Sequence, residues 1–268
     1  MTRKLLPVIC LVLAITIAVA WPSAVNTKVK ANTAGPVPTP TPWPDLTKIK
    51  ISKSKKCGID GAATPGTEKA KLNRLKNRFR LPSGQFEPIT FDDLLALNQG
   101  HIQGNAIVGF PKSNDPDNKR AVSLVGFVRS VFTAGCTVHE HSQGESCNCN
   151  TINPNRCDAH IDVLPSENVN TNDGRNVYVV EITQRIRLLA AQGLLESNIG
   201  NDWSTQTLKT KLENHRVRFS GFLFFDTDHA DQAWVSDPLD KIHSGPTGNN
   251  FRQTAWEIHP VMKIEVLN

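Results

Sequence analysis

A mainly β chain with a minority of helix is what this sequence predicts, and three observations carry the prediction. The first is a pair of long strand patterns near the C-terminus, His215 to Asp226 and Thr254 to Val266. Val217, Phe219, Gly221, Leu223 and Phe225 share one parity in the first. Trp256, Ile258, Met262, Ile264 and Val266 stand out in the second, so each strand offers an apolar face to a core. The second observation is order: strand-like runs over 121–133, 159–164 and 176–183, a helical interval over 184–212, then the two long strands. The third is glycine inside strands, Gly126 and Gly221, where strongly bent barrel strands carry it. Three strands, a helical interval and two more strands is the order of a five-stranded barrel of the oligonucleotide/oligosaccharide-binding (OB) type. A β-sandwich is the rival, and the helical interval counts against it.

From the N-terminus, Met1 to Lys4 is a basic run and Leu5 to Ala20 is apolar, closing on Ala18-Val19-Ala20. This predicts a secretory signal peptide over 1–24, an extracytoplasmic location, and no stable membrane span after cleavage. Cys10 lies inside the apolar run rather than at a cleavage point, which argues against a lipoprotein anchor. An uncleaved N-terminal anchor is the alternative. Residues 25–56 read as a Pro/Thr-rich and basic linker. Its Gly35 to Pro44 stretch has proline at every second position from Pro36 and cannot donate a regular hydrogen-bond ladder, so it suits an extended spacer. Residues 57–120 read as a helical extension packed on the barrel domain of 121–268. Within it, Glu68 to Phe79 carries Ala70, Leu72, Leu75 and Phe79 among lysines and arginines, an amphipathic helix ended by Pro82. Thr90 to Leu97 is a second helix, with Thr90 as N-cap and Asp92 and Asp93 in a first turn whose dipole favours them.

Charge divides the chain. Residues 26–80 carry 13 Lys and Arg against 3 Asp and Glu, whereas residues 81–268 carry 15 against 22. A basic arm over 48–80 has an anionic surface as one possible partner and the protein's own acidic body as the favoured one. Nucleic acid is not expected on the barrel, because a negative body repels phosphates and few aromatics remain for stacking.

Six cysteines are present, and Cys57, Cys136, Cys147, Cys149 and Cys157 remain once Cys10 is removed with the signal. An oxidising compartment pairs them. Cys136, Cys147, Cys149 and Cys157 share an insertion with His139 and His141, close to His160, so zinc competes with disulfides there. The Cys147-Asn148-Cys149 spacing is not that of a zinc knuckle, and disulfides are favoured. Neighbours in a Cys-x-Cys pair seldom bridge each other, so the expected partner of Cys57 is Cys147 or Cys149, with Cys136 paired to Cys157 and one thiol left over.

The candidate functional residues are polar groups lodged in or beside the most hydrophobic strands: His160, Glu181, Asp226, His229, Glu257 and His259. Histidine with carboxylates is a ligand set for a divalent metal and equally a general acid/base pair. Separately satisfied strand-end residues are the blander alternative, and the favoured one, so no metal is assigned; His259 before Pro260 marks a turn or bulge. No HExxH, GxSxG or Walker pattern selects a reaction, and no cofactor is named.

Several segments resemble those of an uncharacterised family of exported bacterial proteins. They include Cys57-Gly58, Leu72 to Arg78, Cys147 to Cys149, Asp158 to Ile161, Val180 to Thr183, Trp203 to Thr205, Gly221 to Asp226 with His229, and above all Trp256-Glu257-Ile258-His259-Pro260. The likeness spans roughly 57–266. It implies export but supplies no activity. The chain departs from that pattern by a longer insertion around His139 to Arg156, which brings Cys136 and Cys157. The function expected from all of this is an exported or envelope-associated binding module of unspecified ligand. The alternative is a metal-assisted hydrolase built on the His/Glu/Asp cluster, and the two differ in whether those side chains meet.

Overall fold

The computed structural model describes residues 43–104, 106–134, 136, 144–169, 174–236 and 250–268. The expected signal peptide, the spacer as far as Pro42, and His139 and His141 lie outside the described residues. Barrel strands β6 (Ala121–Thr133), β7 (Ala159–Leu164), β8 (Tyr178–Ile182), β9 (Arg216–Phe225) and β10 (Trp256–Leu267) follow the expected order. They are preceded by β1 (Lys48–Lys50), β2 (Lys56–Gly58), β3 (Glu87–Ile89), β4 (His101–Gln103) and β5 (Ala106–Val108). The helices are α1 (Glu68–Lys76), α2 (Phe91–Ala96), α3 (Gln184–Ala191) and α4 (Thr205–Leu212).

The main sheet runs β3-β6-β7-β8-β10-β9, and β6 pairs a second time with β9, so the sheet closes into an OB-like barrel with β3 added beside β6. Closure is possible because β6 is long enough to use its first half against β9 (Ala121↔Phe222 to Phe127↔Arg216) and its second half against β7 (Phe127↔Leu164 to Thr133↔Ala159). β8 and β10 are parallel, and β10 and β9 antiparallel. Core-facing residues are those the parity predicts: Val122, Leu124, Ile161, Val163, Val180, Val217, Phe219, Leu223, Phe225, Trp256, Ile258 and Ile264 belong to one buried cluster. Burying each such side chain contributes about 1.5–3 kcal/mol.

The helical interval is two helices rather than one. Gly193, at φ +69°, follows the end of α3 in the left-handed conformation that glycine adopts without steric cost, and the chain restarts at the Ser204 cap of α4. Thr90 caps α2 through a reciprocal capping box with Asp93.

Three readings of the N-terminal part change. Residues 43–56 are not all spacer: β1 pairs with β2, Ile49 and Ile51 are buried, and Arg185 reaches across to hold the segment. That fully buried guanidinium donates to Leu46 O (3.0 Å), Cys57 O (3.0 Å) and Asn77 Oδ1 (2.6 Å). Helix α1 stops at Lys76 instead of Phe79, because Asn77 and Arg78 turn to other partners. Asn77 donates to Ile59 O and Cys147 O; Arg78 donates to Asn118 O, Leu223 O and His259 O. The 57–120 extension is not helical throughout: it also holds β3, which pairs with β6, and the β4–β5 pair, and Lys76 of its basic helix is buried.

Disulfides join Cys57 to Cys149 and Cys136 to Cys157, with Cα–Cα separations of 5.8 and 6.2 Å, and Cys147 is a buried free thiol. No helix among the described residues is long and apolar enough to cross a membrane.

Candidate functional site

The barrel's alternation builds the site. Ile161, Val180 and Ile258 are level with one another on β7, β8 and β10 and point into the core, so their neighbours His160, Asp162, Glu181, Glu257 and His259 share the opposite face. In an OB barrel, this outer face of the second and third strands and its adjoining loops is the ligand surface. Here the chain covers it. Helix α1, the cysteine-rich insertion and the segment after β9 close over it, leaving Glu257, His259 and Asp158 with no solvent exposure.

His259 stands at the centre. Its Nδ1 lies 2.9 Å from Glu257 Oε1 and 3.0 Å from Glu181 Oε2, and its Nε2 lies 3.6 Å from Asp158 Oδ2. Glu181 uses its other oxygen on His160 Nδ1 (2.9 Å), and His160 Nε2 faces Asp162 Oδ1 (3.2 Å). Ser130 Oγ donates to Asp162 Oδ2 at 2.6 Å. On the other side Arg252 bridges Glu257 Oε2 (3.1 Å) and Asp226 Oδ2 (3.3 Å), and Asp226 also holds His229 Nδ1 (2.5 Å) and Lys76 Nζ (3.6 Å). Lys76 continues to Glu145 Oε2 (3.4 Å), beside the Cys147 thiol.

All six residues expected as candidates, His160, Glu181, Asp226, His229, Glu257 and His259, therefore meet in one network. The favoured reading of separately satisfied strand-end groups does not hold for their geometry. Sequence reasoning did not place Asp158, Asp162, Lys76, Arg252 or Glu145 in this cluster, and weighed Cys147 only for a disulfide or for zinc in the insertion. Asp158 and Asp162 flank His160 at two residues on each side, a parity signal that was legible; Lys76 and Arg252 carried none.

The electrostatics follow from burial. Burial, reinforced by the Glu145 carboxylate, pushes Asp158 up to about 7. Burial likewise raises Glu257, with Glu181 and Asp226 adding to the effect. Burial alone would lower His259, but the Glu181 and Glu257 carboxylates beside its Nδ1 push it up to about 10. Burial alone would raise Asp226 and Glu181. Lys76, His229 and Arg252 outweigh it and hold Asp226 well below the carboxylate range; His160 and His259 do the same for Glu181.

Within the network four buried side-chain atoms lack a hydrogen-bond partner: Asp158 Oδ1, Glu181 Oε2, His259 Nε2 and Arg252 Nε. Glu181 Oε2 is close to His259 Nδ1, but Glu257 takes that hydrogen. Potential ligand atoms of Asp158, Glu181 and His259 lie within 4.8 Å of one another, as do those of Glu145, Cys147 and Asp158.

Open clefts lie elsewhere. One of about 950 Å³ runs between the 81–91 segment and the outer face of β6, β9 and β10; Phe86, Phe91, Val125, Arg218, Met262 and Lys263 are among its walls. Four clefts on the described surface have no member of the network in their walls. Comparison with protein-family models, curated proteins and solved structures found no match.

Proposed function

We propose that this chain is an exported binding module, with its ligand in the groove over β6, β9 and β10 and the buried polar network as an internal scaffold. The observation that carries this reading is the separation of the two: His160, Glu181, Glu257 and His259 are buried and no member of the network lines any of the four clefts, while the open groove combines aromatic and aliphatic walls with ionic groups. Such a lining suits ligand recognition. Hydrolysis needs the reverse, since an acid or base must come within hydrogen-bond reach of the bond it serves. Export is supported by the two disulfides, which persist in oxidising compartments.

The test uses the purified full chain. Against panels of chromogenic esters, phosphoesters and peptides it is expected to give no turnover above buffer. In a thermal-shift screen of oligosaccharides and short peptides, stabilising compounds are expected to perturb the amide signals of Val125, Arg218 and Lys263. Turnover that disappears in a folded His259→Gln variant would overturn the binding-module reading in favour of the hydrolase.

A further inference from the structure

We infer that Asp158, Glu181 and His259 form a binding site for a divalent transition-metal ion, zinc first, that locks the cysteine-rich insertion onto the barrel. The inference is independent of what occupies the groove. It starts from the orphaned atoms. A buried polar atom without a partner is uncommon, because desolvation is then uncompensated. Here Asp158 Oδ1, Glu181 Oε2 and His259 Nε2 all lack one, and they belong to the three side chains whose ligand atoms cluster within 4.8 Å.

The imidazole is set as a ligand. A metal-binding histidine gives its second ring N–H to a carboxylate, which fixes the tautomer and frees the other nitrogen. His259 does this: Nδ1 is 2.9 Å from Glu257 Oε1, Glu257 is held by Arg252 at 3.1 Å, and Nε2 is unpartnered. His259 Nε2 and Asp158 Oδ2 are 3.6 Å apart, close to the roughly 3.4 Å that separates two ligands each about 2.1 Å from a tetrahedral ion.

The donor set narrows the metal. Imidazole nitrogen with two carboxylates suits zinc, manganese or iron better than magnesium or calcium, which prefer oxygen alone. The Cys147 thiol, 3.9 Å from Asp158 Oδ2, tips the balance to zinc. The role is structural. Asp158 follows Cys157 at the end of the insertion, Glu181 lies on β8 and His259 on β10, so one ion would join a loop to two barrel strands.

The experiment refolds the untagged full chain with its disulfides intact, with and without zinc chloride, after stripping by chelator, and measures bound metal after dialysis together with the melting temperature. The expected result is stoichiometric zinc, a higher melting temperature with zinc, and loss of both in Asp158→Asn and Glu181→Gln. A wild-type chain that retains no zinc and melts at the same temperature either way overturns the site; so does zinc retained equally by the folded variants. Should the variants not fold, cobalt loaded into the wild type decides the matter: tetrahedral ligand-field bands support the site, and the spectrum of aqueous cobalt sinks it.

Discussion

His229 shows what one residue at the edge of a buried network does. Its side chain is 34% exposed while its partner Asp226 is buried, and the Asp226 carboxylate raises the imidazole above its ordinary value against the lowering effect of burial. A raised folded-state value means the charged pair stabilises fully below about pH 6.5, the unfolded value, and that this contribution is lost as pH climbs through the folded value. Urea midpoints of the wild type are therefore expected to fall as pH rises above about 6.5, and His229→Gln to flatten part of that fall. A variant with the wild-type pH profile would show that the pair does not act. At this scale the sequence was informative where alternation alone settles direction. Glu257 and His259 are two apart on a strand, so they share a face. Lys76 was illegible, because an amphipathic basic helix reads as solvated until the acidic surface that receives it, Asp226 and Glu145, is in place.

Among the elements, β10 decides the site's geometry. Its pairing with β9 is regular from Trp256 to Ile258, shifts between Ile258 and Val261 and again before Lys263, and then resumes to Leu267. The shift coincides with the cis His259–Pro260 bond, which agrees with the bulge expected at that dipeptide. Gly221 of β9 makes room for it. A Cβ there would fall against the Pro260 carbonyl oxygen, with Ile258 Cγ2 at 2.7 Å and Val261 Cα at 2.9 Å. Backbone cannot swing aside as a long side chain can, so Gly221→Ala is expected to destabilise the fold by about 1–3 kcal/mol in urea unfolding. It should also shift the His259 ring signals. A change below about 0.5 kcal/mol, the usual scatter of neutral substitutions, would mean the bulge is softer than its packing indicates. The glycine was legible as a barrel feature, whereas its partner on the next strand was not, because periodicity says nothing about which backbone approaches which.

For the whole molecule, strand order was legible because each barrel strand carries its own apolar parity. The role of the arm was not, because it depends on distant contacts. Cys57 pairs with Cys149 across 92 residues, and the linked segment also carries the Arg185 bonds to Leu46 O and Cys57 O. Together they hold the arm and α1 against the face that the barrel leaves polar. Cys136 and Cys157 close only 21 residues within the insertion. Closing a longer loop removes more freedom from the unfolded chain, by roughly 1 kcal/mol for these two lengths in the chain-entropy model. Cys57→Ser with Cys149→Ser is therefore expected to lower stability by about 2–5 kcal/mol, and Cys136→Ser with Cys157→Ser by less. Losing the first bridge should also loosen the cover over His259, so amides of 43–60 and of β10 should exchange faster in that double variant and not in the other. Denaturant unfolding with hydrogen exchange measures both effects. An equal or larger loss from the shorter loop would show that the arm is held by its hydrogen bonds and ion pairs alone.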